Sequence, residues 1–582
     1  MSEQEPLGAF VTRFFNRFHA RIGAFSTPPT AFVSQPEPRT IGLYARGKQL
    51  VAGYYLVAGQ LLTGARKEVW DLPLASPEFA RETQGFVWLD DLAAVGDSAA
   101  RLCAQTWLIQ WCERYGQGTG PGWTPEITGR RLIRWINHAF FLMQTSEKDA
   151  SDAFFRSLAH QTNFLGKRWQ ASRPGLARFE ALTGLIYAGL SLEGMSRHIE
   201  PAQKALAKEC ASQIDEEGGL PTRNPEELLE AFTLLSWAAL ALRETGYPVT
   251  PEHDAALLRI APTLRSLRHS DGALARFHGG GKGIEGRLEH ALAASGVKPA
   301  APDGLSMGFA RLSAGRTSII IDAALPPSGK ASHNAHASTL AFELTSGRRP
   351  LIVNCGSGAC FGPEWRRAGR ATPSHSTLVL DGVSSSRLSG PARDGSELFV
   401  AGPSRVPVEI SQATDGMRFQ GGHDGWLKSH GLTHARTIEM TYDGRGVAGE
   451  DLLIAVEDAD KNTFQKAMQH ALEPGQLFHI RFHLHPEVDA AVDLGGSAVS
   501  LALRSGEIWV LRAGGEAKLS LEASVYLETG RLKPRATKQV VISARATEYA
   551  TRVRWSLAKA LDTPVSIRDV GTDQLYQEDE AR

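Results

Sequence analysis

No apolar run in this chain approaches the ~18–20 residues that a membrane-spanning helix needs. The first 30 residues, where an export signal would show an unbroken apolar core, carry Glu3, Glu5, Arg13, Arg17 and Arg21. The sequence therefore predicts no transmembrane segment and a cytoplasmic protein; a translation start further upstream would make it periplasmic. Cysteine is scarce. Cys103, Cys112, Cys210, Cys355 and Cys360 are the five in 582 residues, an odd number with no spacing that suits a zinc ribbon or a redox pair, so reduced and mostly buried thiols are expected. Net charge is absent as well, since 63 basic and 63 acidic side chains cancel. Without a global field, nucleic acid is not an expected partner, and a polyanionic ligand would need a local basic groove.

What is present is an ordinary globular composition, 42% apolar and 22% charged, in a chain too long for a single core. From about Thr40 to Leu267 the apolar residues recur at helical spacing. Cys103, Trp107, Leu108, Trp111 and Cys112 make one stripe; Leu132, Trp135, Ile136 and Phe140 make another. Asn224-Pro225-Glu226-Glu227 reads as a helix start: a capping residue, proline in the first turn, then acids facing the helix dipole. Ala9–Ile22 could be a basic amphipathic helix lying on a membrane or a helix packed onto the body, and packing is the expectation. A stretch rich in Gly, Ala and Pro follows at 279–304. From Ser306 onward short β-type runs separated by Gly-, Asp- and Pro-rich turns take over. In FHIRFHLHP the alternation is strict, with Phe478, Ile480, Phe482 and Leu484 on one face and His479, Arg481, His483 and His485 on the other. The pattern predicts a multidomain α+β chain: a helical bundle, solenoid or toroid over residues 1–300, then an antiparallel β-sandwich over 301–582.

The segment from Ser332 to Gly382, SHNAHASTLAFELTSGRRPLIVNCGSG followed by GPEWRRAGRATPSHSTLVLDG, resembles the start of the β-domain of heparinase II/III proteins. GHDGW near His423, LTHART near His434, FHLHP at Phe482–Pro486 and the upstream GWTPEITGRRLIRWINH are similar to further motifs of that family, in the same order. The resemblance implies an α/α toroid followed by a β-sandwich, and β-elimination on a uronate-containing glycan. That chemistry needs a group to neutralise the C5 carboxylate, a base for the C5 proton and an acid for the departing O4. It also implies a metal held in the sandwich by His, Asp and His.

The equipment is only partly retained. His336 matches the second histidine of the family's H-x-H-A-D motif, but Asn334 stands for the first and Ser338 for the aspartate. His333 lies one residue off. Asn354 replaces the strand-end aspartate, and His375 is kept. In the toroid the family's Asn-His pair aligns with Leu176-Ala177, and its tyrosine falls near Glu227. The expected catalytic set is His336, His375, Arg223, Asn224 and Glu227. Arg370, Asn334, His423, Trp426 and Arg178 are the expected substrate contacts, with Arg366 and Arg367 as a local basic cluster. His336, Asn354 and His375 would hold a divalent metal, zinc being the one cofactor the resemblance raises. We expect His336, Asn354 and His375 to meet in the β-domain, and Arg223, Asn224, His336 and Arg370 to line a groove between the halves. A lyase acting on an acidic polysaccharide or oligosaccharide is the leading reading. A hydrolase using Glu226 or Glu227, and a non-catalytic glycan-binding relative, are the alternatives; a homodimer is compatible with all three. Each residue also has a plain structural role open to it: acids at a helix start need no catalytic reason, and His483 and His485 suit a polar strand face.

Overall fold

The computed structural model describes residues 7–23, 31–63, 69–71, 77–144, 148–298, 304–380, 382–392, 396–469 and 474–560. An α-helical toroid is followed by an antiparallel β-sandwich. Helices run from Leu7–Gly23 (α1) to Arg287–Ser295, and the sandwich strands begin at Phe309–Ala314. Several elements depart from the sequence pattern, among them the helices Pro363–Gly369 and Asp458–Gln469 within the β half. A hairpin of Tyr54–Val57 with Gln60–Thr63 interrupts the helical half, and the soft stretch after Gly279 contains the helix Arg287–Ser295.

The helix starts follow local chemistry. Pro125, Pro225 and Pro251 occupy first-turn positions, where a missing N–H costs nothing. Asn224 Oδ1 accepts from the backbone N–H groups of Glu226 and Glu227 at 3.0 and 3.1 Å. Pro125–Asn137 and Leu176–Ser191 cross at two glycines. A Cβ on Gly129 would lie 2.2 Å from the Glu180 carbonyl oxygen, and one on Gly184 2.5 Å from the Gly129 Cα. Around this crossing the core is aromatic, with Trp70, Phe86, Trp88, Trp107, Trp111, Trp123, Trp135 and Phe154 buried together. Arg131 is buried among them, 4.1 Å from the Trp111 ring centroid, and donates to Gln161, Gln84 and Gly122. Desolvation lowers its pKa to about 9.

The sandwich consists of two eight-stranded sheets. The first runs Lys518–Tyr526, Arg535–Ala546, Gln476–Leu484, Arg349–Val353, Phe342–Ser346, Thr317–Asp322, Phe309–Ala314, with Leu378–Leu380 also paired to Gln476–Leu484. The second is centred on Leu432–Thr441, Gly446–Ile454 and Ala550–Lys559. Phe478, Ile480, Phe482 and Leu484 point into the core between the sheets, as their alternation predicts. Phe342 and Trp555 stack across it at 5.9 Å.

Thr317–Asp322 and Phe342–Ser346 are buried at every position, where a sheet with one solvated face would alternate. The reason lies in the two cores. Ile319 and Ile321 pack toward the second sheet, whereas Ile320, with Met307, Phe309 and Ala341, joins the core of the helical half. This part of the first sheet is thus covered on both faces, and the toroid and sandwich meet along a packed seam. The candidate site lies on that seam.

Candidate functional site

The seam is built around a buried carboxylate at the end of an apolar strand. Asp322 terminates TSIIID, and its side chain is fully enclosed. From the helical half, Arg223 Nη2 donates to Asp322 Oδ1 at 2.7 Å. Ser338 Oγ donates to Oδ2 at 2.7 Å, and His278 Nε2 faces Oδ2 at 3.4 Å. Burial alone would raise this carboxyl, but Arg223, His278 and Ser338 outweigh it and hold it well below the ordinary carboxylate range.

A chain of imidazoles leads away from Asp322. The His336 backbone N–H donates to His278 Nδ1 at 3.2 Å. His336 Nδ1 and His375 Nε2 lie 3.0 Å apart, and His375 Nδ1 lies 2.9 Å from the Ala371 carbonyl oxygen. A carbonyl only accepts, so His375 carries its proton on Nδ1. Its Nε2 is then an acceptor, and the donor must be His336 Nδ1–H. Both rings are neutral in this arrangement. Desolvation pushes His375 down to about 4 and His336 well below the ordinary histidine value.

Strain concentrates here too. Seven non-glycine residues have positive φ among the described residues, and four of them, Arg223, His278, Met307 and Leu340, belong to the seam. Such conformations persist only where surrounding contacts over-determine them. The loop after His278 fits between the halves because it lacks side chains. A Cβ on Gly279 would lie 3.0 Å from the Asn334 Cβ, and one on Gly280 would lie 2.5 Å from Asn224 Oδ1.

His336 and His375 therefore meet as the sequence predicts, but the groove expected beside them is a closed seam. Arg223, Asn224, His336 and Arg370 are all buried. Arg223 also donates to the carbonyls of Met307, Gly308, Ala324 and Leu325, so its guanidinium clasps the two halves and keeps no donor for a glycan carboxylate. Arg370 donates to the carbonyls of Ala335, Glu397 and Ser332. Arg178 pairs with Glu209 and bonds the Ser172 carbonyl. Of the basic cluster, Arg366 holds the His333 carbonyl and Asn334 Oδ1, and Arg367 pairs with Glu397. Asn224 is a helix cap. His423 and Trp426, expected to contact substrate, are buried in the sandwich. His423 Nε2 faces His434 Nδ1 at 3.3 Å, His434 Nε2 meets Asp451 at 2.7 Å, and Trp426 Nε1 donates to the Val383 carbonyl. Glu227 remains half-buried at the start of its helix, where burial raises its pKa, as it does for the neighbouring Glu226.

The donors do not fit a metal. Asn354 Nδ2 donates to Glu343 at 3.3 Å, and its Oδ1 accepts from the Ser376 N–H at 3.0 Å. His336 and His375 spend their facing nitrogens on each other. His483 Nδ1 lies 2.7 Å from Ser524 Oγ and Nε2 2.9 Å from the Pro373 carbonyl. Among the described residues no group of three or more His, Cys, Asp or Glu side chains is arranged to hold an ion.

Residues 296–556 match the family model of the heparinase II/III-like C-terminal domain. The whole chain is 30% identical over 572 residues to FtsZ-localized protein C of Caulobacter vibrioides, covering 96% of this chain and 95% of that one. The chain belongs to the heparinase II/III family. Its fold is shared with a solved heparinase III, at a TM-score of 0.68 and 12% identity over 96% of this chain and 90% of that one. A heparan sulfate lyase HepC mutant from Pedobacter heparinus superposes at 0.55, with 13% identity over 94% and 88%. Within this heparinase II/III chain, sequence reasoning missed Asp322, His278, Glu343 and the Arg436–Asp451 pair. The signal for Asp322 was present: an acid closing a run of isoleucines needs a cation partner once buried.

Proposed function

We propose that this chain is a lyase-fold protein that does not cleave glycans and serves instead as a protein-binding module working with FtsZ. One observation carries this reading: the guanidinium groups of Arg223, Arg370 and Arg178 are engaged by protein oxygens. β-Elimination needs a donor free to neutralise the substrate carboxylate before the C5 proton leaves. The buried His336–His375 pair supports the same reading, since a general base must reach its proton within hydrogen-bond distance. So does the full-length likeness to a protein named as FtsZ-localized.

The second reading is glycan cleavage by the acids at the start of Pro225–Glu244. It is favoured by the burial that raises the Glu226 and Glu227 carboxyls, a property suited to a general acid. The experiment is paired. Purified protein is incubated with heparan sulfate, chondroitin sulfate and xanthan while ultraviolet absorbance and reducing ends are followed, and it is co-sedimented with purified FtsZ. The scaffold reading expects no product and co-sedimentation with FtsZ. Turnover lost in Glu227→Gln would overturn it.

A further inference from the structure

The second sheet turns its two faces to different surroundings. Phe419, Ile438, Val447 and Trp555 point into the core between the sheets. At alternate positions of the same strands Gln420, Ala448, Arg554 and Ser556 are exposed, so this face lies in solvent. The register orders its side chains in rows. One row runs Arg418, Glu439, Ala448, Ser556, Arg512 across five strands. The next runs Gln420, Thr437, Glu450, Arg554. In the first row long side chains stand at the ends and small ones in the middle. The result is a groove of about 600 Å³ whose lining includes Ala448, Ser556 and Gly514 as its floor. A merely solvated sheet face has no need of such a floor.

The groove is basic along one wall. Arg552 and Arg554 stand at i, i+2 on Ala550–Lys559, and Arg512 lies across from Ser556 on Ile508–Ala513. Arg552 and Arg554 both pair with Glu450, at 3.1 and 2.9 Å, and Arg418 pairs with Glu439 at 2.6 Å. Arg512 is exposed and has no hydrogen-bond or ion-pair partner among the described residues. Four guanidinium groups thus meet two carboxylates, in a chain whose formal charges cancel overall.

An extended peptide carrying carboxylates fits this surface. Side chains of an extended chain point the same way every second residue, ~6.5 Å apart, the period at which Arg552 and Arg554 recur beneath it. Carboxylates on one side of such a segment meet the arginine wall by fork geometry. Its other polar groups meet Glu439, Gln420 and Thr437 opposite. A uniformly anionic polymer would instead set charge against Glu439 and Glu450. Single-stranded nucleic acid would find no aromatic platform for its bases, since Trp555 under the groove is 3% exposed.

We propose that this groove on the outer face of the second sheet is a docking site for an extended acidic segment of a partner protein, with Arg512 and Arg554 as its anchors. The inference rests on the reading of the chain as a protein-binding module, and gives that module a binding surface separate from the closed seam.

The test is fluorescence anisotropy of a labelled octapeptide of alternating glutamate and serine with the full chain, against the lysine–serine counterpart. The acidic peptide should bind at low salt and the basic one should not, and added salt should weaken binding. Arg512→Glu with Arg554→Glu should reduce affinity at least ~10-fold with an unchanged circular dichroism spectrum. Ala448→Tyr fills the floor and leaves every charge in place. It should reduce affinity by a similar factor, which separates a groove from a diffuse basic field. Absence of acidic-peptide binding at low salt, equal binding of the basic peptide, or affinity indifferent to these substitutions would overturn the proposal. So would a chondroitin sulfate oligosaccharide that binds where the peptide does not and is lost in the same variants, which would assign the groove to a glycan. FtsZ is absent from these measurements. Failure of FtsZ co-sedimentation with peptide binding intact would therefore remove FtsZ as the partner while the groove stands.

Discussion

Arg223 and Asp322 join the two halves of the molecule through a 2.7 Å charge-assisted hydrogen bond whose carboxylate is fully enclosed and whose guanidinium is almost so. An arginine on the loop before a toroid helix was the natural candidate for holding a uronate carboxylate, and here it holds a protein carboxylate. The first prediction follows from the asymmetry of buried pairs. Arg223→Ala leaves Asp322 charged and desolvated, so it should destabilise the protein by ~3–5 kcal/mol. The Arg223→Ala, Asp322→Ala double variant should recover part of that loss. A residue reserved for substrate would leave the melting temperature unchanged, so thermal unfolding of the three variants separates the roles.

The second prediction concerns acid. His278, His336 and His375 are all pushed below the ordinary histidine value, chiefly by desolvation. The unfolded chain, with histidines near ~6.5, binds protons that the folded chain refuses, so stability rises with pH in that window. It is complete above pH ~6.5 and is lost progressively as pH falls from there toward about 4, where His375 itself takes a proton. That histidine alone accounts for a loss on the order of 3 kcal/mol, at about 1.4 kcal/mol per pKa unit. Denaturant midpoints measured between pH 7.5 and 4.5 should fall steadily, and His375→Asn should flatten the slope by about one proton.

Much of the fold was legible because period is a local property: TSIIID, FHIRFHLHP and the tryptophan stripe each announce their element within a few residues. His336 and His375 were legible as partners through motif resemblance. What stayed hidden was burial. Nothing around Arg370 or His423 in the sequence says that the surrounding chain folds over them, because enclosure depends on residues far away. Arg370 is closed in by carbonyls of Ser332, Ala335 and Glu397. Asp322 and His278 were missed for the complementary reason. Asp322 closes a strand and His278 precedes a glycine run, and only the seam gives them their partners.

The third prediction separates capping from catalysis at Asn224. Its Oδ1 accepts from two backbone N–H groups of the first turn, a role worth ~1 kcal/mol. Asn224→Asp and Asn224→Ser should retain most of the stability, and Asn224→Ala should lose about that amount. A substrate-binding amide would show the reverse pattern, with stability indifferent to alanine. Urea unfolding curves for the three variants decide between them.

The last prediction is about metal. The hydrogen bonds fix protonation at the two seam histidines: His375 Nδ1–H points to the Ala371 carbonyl, and His336 Nδ1–H points to His375 Nε2. A cation shared by those facing nitrogens would require His336 to move its proton to Nε2 and break the only bond that joins the rings. The third donor would have to be Asn354, whose amide oxygen holds the Ser376 N–H that follows His375 in the chain. Withdrawing it would expose a buried donor at a cost of ~1–3 kcal/mol, and a neutral amide oxygen repays little of that as a zinc ligand. Zinc analysis of purified protein should therefore give much less than one ion per chain, and dialysis against a chelator should leave the thermal midpoint unchanged. Asn354→Asp supplies the carboxylate that the family motif carries at this place. It should lower stability without zinc, by burying a charge beside Glu343, and should make the thermal midpoint rise on zinc addition. A zinc-dependent midpoint in the unsubstituted protein would show that the two histidines ligate an ion after all.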